Sequence, residues 1–441
     1  MESVLSTDRF SDLPDSVITH ILSFLRTKVS VRTSILARRW RYLWSYVPTL
    51  NFKFSVYEVT HCVNQDTLNR VMLQYKAEIM NSFSLYCEFN TSAYQLETWV
   101  IFAVKRHVQK LNRSFSFGVD LPPCIFTCKT LVDLRVDFNG VTPPTSGPVC
   151  LPCLKKLHLC CSSQYEPDEY LPHILSGCPV LEELTINIFT VFVSCTISSP
   201  IIKSLTVDFD YKTSSKSNYN HDYKLVINTP ALTYLNVVDW SCQSIKSGSL
   251  TSLIEADIEL QNSDEMHDHF LYSRSLVEFI DMLRNVKRLR LNLQCYPEII
   301  SSVFSASMAI RFRNLIKLEL TGHSWFLSKF LQNADNLEIL ILKEVGEGTK
   351  AWNWIEPEQV PTCLLSHLRI IRLCGDVESE LVFNIVRYIL KNGKVMERIE
   401  IPYGRLSLSL SHCTPKQKIN MFEKISQFRE RSSACEVALI S

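Results

Sequence analysis

The sequence predicts an α/β chain built in three parts: a three-helix module at the N-terminus, a curved solenoid of short parallel strands, and an α+β cap at the C-terminus. Three observations predict it. Apolar residues between Pro14 and Trp44 recur at helical steps. From Leu131 onward, a trio of apolar residues, spaced three and then two positions apart, returns every roughly 21–33 residues, near the period of leucine-rich repeats. The segment 351–441 then alternates strand-like and helix-like stretches. These shifts of pattern divide the chain into 8–54, a mixed helical linker and N-terminal solenoid cap over 55–110, irregular leucine-rich repeats over 111–350, and the cap over 351–441.

In the first module Pro14 suits the opening position of a helix, where its missing N–H costs nothing, and Asp15 adds negative charge to that turn. Val17, Ile18, Ile21, Leu22 and Leu25 fall on one face. Thr27 or Ser30 caps a second short helix carrying Val31 and Ile35, and Trp40, Leu43 and Trp44 make a third stripe, with Arg38, Arg39 and Arg41 pointing elsewhere. Three helices this short bury too little surface to stand alone, so they must lean on the rest of the chain or on another protein.

In the linker, Gln95–Leu111 reads as one amphipathic helix, with Leu96, Trp99, Val100, Ala103, Val104 and Val108 at helical steps. The repeats that follow start at Leu131, Leu154, Leu181, Ile202, Leu232, Leu253, Val286, Leu315, Leu337, Leu368 and Met396. The first fills the whole pattern with Leu131, Leu134, Val136, Asn139 and Val141, whereas the others keep the first three slots and must satisfy their turns without an asparagine ladder. Each strand buries its leucines against its neighbours. In the cap, the pattern gives a strand over Leu368–Leu373, a helix over Glu378–Lys391, a strand over Met396–Ile401, a helix opened by Pro415, and a closing strand over Ala434–Ile440.

A net charge of +1 gives no bulk reason to seek nucleic acid or an anionic membrane. Residues 1–9 lack an apolar core of the secretory kind, and Leu184–Ile202, the longest uncharged run, is broken by Pro200 and several hydroxyl residues. Sixteen cysteines without a leader point to reduced thiols and to nucleus and/or cytoplasm. No nucleophile motif, no paired carboxylates and no complete phosphate loop appear; Gly346-Glu347-Gly348 lacks a third glycine. The reading is therefore of no catalytic residue, no cofactor and no metal. Cys150, Cys153, His158, Cys160 and Cys161 are the best metal candidates, but Leu154, Leu157 and Leu159 are repeat core slots, so His158 and Cys160 alternate to the other face. His267 and His269 sit in an acidic loop.

The concave face follows from the same alternation: Arg135, Asp137, His158, Thr185, Asn187, Thr206, Asp208, Asn236, Arg290, Asn292, Glu319, Thr321, Ile341, Lys343 and Arg372. Its mixed signs suit a protein target with its own charge pattern rather than a polyanion.

The wording of Phe10–Phe52 resembles an F-box: Leu13-Pro14-Asp15, His20 to Leu25, Thr27-Lys28, Thr33-Ser34, Leu36, Arg38 to Arg41 and Leu43-Trp44. It departs from the plant pattern at Arg26, where Pro is usual, and at Ala37. Trp354, Pro357, Val360-Pro361, Cys363 to Leu368, Ile389-Leu390 and Ser432 to Val437 resemble the FBD module, with Cys374-Gly375-Asp376 departing from its usual Gly-Phe-rich turn. F-box, irregular leucine repeats and FBD in this order resemble the plant F-box/FBD/leucine-rich-repeat family. The resemblance implies docking on a Skp-type adaptor through Leu13, Pro14, Ile21, Leu22, Leu25, Val31 and Trp40, and through the adaptor a link to a cullin, with a protein target held on the repeats for ubiquitination. Residues alone leave open a repeat scaffold whose helices serve as an end cap, or bind the adaptor outside a ligase.

Overall fold

Each apolar residue that opens a repeat stands two positions ahead of a parallel strand. Leu131 precedes a strand starting at Asp133, Leu154 one at Lys156, Val286 one at Arg288, and Met396 one at Arg398. All eleven openers are buried. The computed structural model describes residues 13–54, 65–87, 92–115, 121–138, 142–161, 165–189, 194–209, 224–239, 244–248, 250–261, 277–294, 310–322, 325–343, 354, 356–374, 380–402, 419, 422–423, 425 and 435–440. They fall into two compact units, 1–190 and 191–441.

The first unit begins with helices α1 (Asp15–Ser23) and α2 (Thr27–Arg32), followed by tighter 3-10 turns over Thr33–Ile35 and Arg38–Tyr46. Ile18 and Leu22 from α1 meet Leu43 and Val47 in a small core, with Leu13 and Trp40 packed against it. Strands β1 (Thr49–Phe54), β2 (Ser82–Cys87), β3 (Lys110–Phe115), β4 (Asp133–Asp137), β5 (Lys156–Cys161) and β6 (Glu183–Ile188) then pair in chain order, all parallel. Helices α3 (Gln65–Gln74), α4 (Ala93–Val104) and α5 (Pro167–Ser176) fill crossovers between them.

The ladder thus begins at Thr49, and the 55–110 stretch contributes β2 and the start of β3. Val47, Met80 and Val108, all buried, open the first three strands in the way leucines open the later ones. The helix expected over Gln95–Leu111 is shorter. It is capped by the Ser92 hydroxyl, which accepts from the Gln95 amide at 3.2 Å, and ends at Val104. His107 then turns the chain with a left-handed φ of 55°, and Val108 and Leu111 enter the ladder core instead.

In the second unit, β8 (Ser204–Phe209), β10 (Tyr234–Asp239), β12 (Glu255–Gln261), β13 (Arg288–Gln294), β14 (Lys317–Gly322), β15 (Ile339–Lys343), β16 (Ile370–Cys374), β17 (Arg398–Pro402) and β18 (Glu436–Ile440) pair parallel in that order. A second parallel sheet places β9 (Lys224–Asn228) between β7 (Ser194–Ser198) and β11 (Ser244–Ser247). Helices α6 (Trp325–Asn333), α7 (Thr362–Ser366) and α8 (Glu380–Asn392) complete it. In the C-terminal segment the expected strand, helix and strand stand at β16, α8 and β17, displaced by one or two residues. Helical residues at 419, 422–423 and 425 follow, and then β18. Trp354 packs edge-on to Tyr388 of α8, ring centroids 5.7 Å apart.

The backbone supplies what the missing asparagines do not. In nine of the eleven repeats the carbonyl one residue after the opener accepts two amides of the next repeat. Val132 takes Lys155 and Lys156 at 2.9 and 3.0 Å, and Lys155 takes Glu182 and Glu183, both at 2.9 Å. In the second unit Ile254 takes Lys287 and Arg288 at 2.8 and 3.1 Å, and Ile316 takes Glu338 and Ile339 at 2.9 and 3.0 Å. These buried-side groups are therefore paired by main chain alone, whatever side chain follows. Asn139 and Val141 lie outside the described residues, as do Gly346-Glu347-Gly348, His267 and His269.

Candidate functional site

The N-terminal helices turn one apolar face inward and leave another uncovered. Leu22 is 1% exposed and belongs to the module's own core, so it is corrected from contact residue to core residue. On the outside stand Val17, Ile21, Phe24 and Leu25 of the α1 region, Val29 of α2, and Ile35, Leu36, Tyr42 and Tyr46 of the 3-10 turns. Phe24 is 77% exposed, Ile35 86% and Ile21 41%. Of the proposed contacts, Pro14, Ile21 and Leu25 are exposed, whereas Leu13, Val31 and Trp40 are half-buried. Leu13 and Trp40 also pack on the core, and the Pro14 carbonyl accepts the Val17 and Ile18 amides that start α1. Phe24, Ile35 and Leu36, exposed here, were not among the expected contacts. Phe24 stacks edge-on with His20 at 5.0 Å.

Charge reinforces this face. Residues 13–54 hold the cations Arg26, Lys28, Arg32, Arg38, Arg39, Arg41 and Lys53 against a single carboxylate, Asp15. Arg39 takes that carboxylate, with Nε and Nη2 donating to Oδ1 at 2.9 and 2.6 Å, and Nη2 also donates to the Leu13 carbonyl at 2.7 Å. Exposed apolar residues on a module so rich in cations suit an acidic partner that carries apolar side chains of its own.

The module is also tied to the first strand. Thr27 Oγ1 accepts the Asn51 amide at 2.7 Å, and Thr49 Oγ1 donates to the Ser23 carbonyl at 3.1 Å. Ser30 Oγ donates to the Leu22 carbonyl at 3.0 Å.

The residues expected on the target face share rows within each unit. In the first, Asn51, Ser84, Asn112, Arg135, His158 and Thr185 stand side by side across β1 to β6. Burial holds the His158 imidazole below its ordinary pKa, so it is neutral at pH 7. Arg135 is exposed and forms no ion pair among the described residues. Asn187 lies one row further along.

In the second unit Asn236, Asp257, Arg290, Glu319, Ile341, Arg372 and Glu400 form the corresponding row. Here the charges are spent on one another. Arg290 reaches Asp257 and Glu319, both at 3.1 Å, Lys343 reaches Glu319 at 2.6 Å, and Arg372 reaches Glu400 at 2.6 Å. Burial raises the Asp257 pKa, and Arg290 offsets part of that rise. Arg290, Glu319 and Lys343 are thus brought together with Asp257 in one ion-pair network across β12 to β15, Arg372 pairs separately with Glu400, and Asn236 stands beside Asp257.

The cysteine-rich turn separates its ligands. Cys150 and Cys153 are exposed, whereas Cys161 points into the core, where burial pushes its thiol up to about 12. Among the described residues no group of three or more His, Cys, Asp or Glu side chains is arranged to hold a metal ion, and no helix is long and apolar enough to cross a membrane.

Comparison with known proteins accounts for this layout. An F-box domain profile matches residues 10–51, the leucine-rich-repeat profile described as "FBD-associated F-box protein At5g56370, LRR repeats" matches 96–295, and an FBD profile matches 356–401. F-box/FBD/LRR-repeat protein At4g00160 of Arabidopsis thaliana is 31% identical over 423 residues, covering 90% of this chain and 86% of that protein. F-box/FBD/LRR-repeat protein At2g26030 of the same plant is 28% identical over 467 residues, 99% of this chain and 100% of its own length. The order of modules is typical of non-catalytic adaptor proteins and supports a role in substrate recognition. With an F-box whose helices leave apolar residues exposed, a repeat region and an FBD segment following it in the sequence, the chain belongs to the plant F-box/FBD/LRR-repeat family.

Proposed function

We propose that this chain is a non-catalytic substrate receptor of an SCF-type cullin ubiquitin ligase, working in the nucleus and/or cytoplasm. The observation that carries the proposal is the exposure of Ile21, Phe24, Leu25, Ile35 and Leu36 on a cation-rich module that already has its own small core. A Skp-type adaptor covers that face and brings a cullin with it. The target lies across the strand faces, with Arg135, His158 and Asn187 on the first unit and Asn236 beside the charged network of the second. Holding a target near a charged conjugating enzyme raises the effective concentration of its lysines, and ubiquitin transfer belongs to the partner subunits.

A second reading has an observation of its own. The hydrogen bonds from Thr27 and Thr49 fasten the helices to β1, as a plain end cap would be fastened. Tagged full chain and its Ile21→Asp/Phe24→Asp variant, purified from plant extract, separate the two. Recovery of adaptor and cullin by the wild type and of neither by a folded variant supports the receptor. A folded wild type that recovers neither leaves the scaffold. The pair Ile21 and Phe24 is a cleaner choice than Leu13 and Pro14, because Leu13 packs on the core and Pro14 starts α1.

A further inference from the structure

Beyond the three-helix module, the turn after α3 is fastened to it and presents a cation. The Lys76 and Ala77 amides donate to the Ser45 carbonyl at 2.9 and 3.1 Å, and the buried Tyr75 hydroxyl donates to the Val47 carbonyl at 2.8 Å. The turn so held carries Lys76 beside two exposed rings: its ammonium lies 5.6 Å from the centroid of Tyr42 and 5.7 Å from that of Tyr46. The Arg41 guanidinium stands 5.6 Å from the Tyr42 centroid as well. Neither cation forms an ion pair among the described residues, and the carboxylate nearest to Lys76 in sequence, Glu78, makes none with it. Exposed Leu73 and Ile79 flank the turn.

Two cations over aromatic faces, one of them on a turn held by backbone hydrogen bonds, with no carboxylate paired to either among the described residues, make a seat for an acidic side chain. Tyr42 and Tyr46 belong to the same cation-rich module that exposes Phe24, Ile35 and Leu36. We propose that the adaptor interface does not end with the F-box: an acidic residue of the adaptor seats on Lys76 and Arg41 over the two tyrosines. The inference rests on the adaptor reading above and concerns how far that contact extends.

The test is the affinity of the full chain for a purified Skp-type adaptor, by calorimetry at several salt concentrations, for the wild type, Lys76→Met, Lys76→Glu and Phe24→Asp. Lys76→Met keeps a long side chain over the rings and removes the charge. The expectation is about threefold weaker binding with a shallower salt dependence for Lys76→Met, and about tenfold weaker binding for Lys76→Glu, because a charge at the rim of an interface acts mainly through steering and repulsion. A role confined to packing within this chain leaves the salt dependence unchanged. If Phe24→Asp abolishes binding while Lys76→Met matches the wild type at every salt concentration, the extension is wrong and the adaptor reading survives. If the folded wild type does not bind the adaptor, both fall.

Discussion

The Thr27 hydroxyl accepts the Asn51 amide at 2.7 Å from a buried position, and so joins the second helix of the F-box to the first strand of the ladder. Thr27→Val keeps the shape and strands that amide, at a cost of about 1–3 kcal/mol. Ser30→Ala is expected to cost less, because the Leu22 carbonyl that Ser30 serves also accepts the Leu25 amide at 3.1 Å. Urea unfolding of both variants checks the order; a larger loss for Ser30→Ala overturns it.

Leu22 and Phe24, two residues apart, divide stability from binding. Leu22→Ala opens a cavity in the small core and lowers unfolding free energy by about 2–4 kcal/mol. Phe24→Ala changes stability by less than about 0.5 kcal/mol, as a surface substitution does, while weakening adaptor binding. Thermal melts run alongside binding isotherms read both quantities, and equal destabilisation by the two variants contradicts the assignment.

Arg26 occupies the position before α2 where proline is usual in plant F-boxes, and its φ of −61° is already that of proline. Arg26→Pro is therefore expected to raise stability by about 0.4–1 kcal/mol by restricting the unfolded chain. A drop in the denaturation midpoint refutes this.

Glu400, half of the pair with Arg372 at 2.6 Å, is buried despite standing on the outward row. Glu400→Gln weakens charge-assisted hydrogen bonds worth about 1–3 kcal/mol and leaves Arg372 short of a partner. The loss is expected in unfolding free energy, and an unchanged value shows the network to be ornamental to stability.

His158 is held below its ordinary pKa of 6.5, so on acidification the unfolded chain takes its proton before the folded one does. Its contribution is intact above pH 6.5 and is lost as pH falls through that value toward the lower folded pKa. An NMR titration of the imidazole should give a midpoint below 6.5, and His158→Asn should remove this part of the pH slope of stability. A midpoint above 6.5 rules the effect out.

Much of the ladder was legible in the sequence because a leucine three and then five places before two more apolar residues has one easy home, the entry to a buried parallel strand. Val47, Met80 and Val108 fill the same place but escaped notice. Their slots hold other apolar residues, and the helices between them interrupt the rhythm. Val108 and Leu111 also lie in phase with α4, so periodicity carried that helix too far; the reversal at His107 leaves no apolar signature. In the first helix, helical spacing grouped Ile21, Leu22 and Leu25 on one stripe. Which of them points inward depends on where the 3-10 turn of Leu43 comes to rest, a tertiary fact. The pairing of Arg290 with Glu319 and Asp257 depends on inter-strand register, which a single strand's sequence does not state.

The doubly accepting carbonyls have a consequence for how such a chain can change. Because Val132, Lys155, Ile254 and Ile316 hold the next repeat by main chain, loops of any length can be spliced in after a strand, and any side chain set on the outward rows, without altering the step from one strand to the next. What the arrangement forbids is narrow. A proline at Lys155, Glu182, Lys287 or Glu338 deletes one of the two donors and loosens a single joint. The exposed positions of the outward rows can thus change while the main-chain joints between strands stay the same.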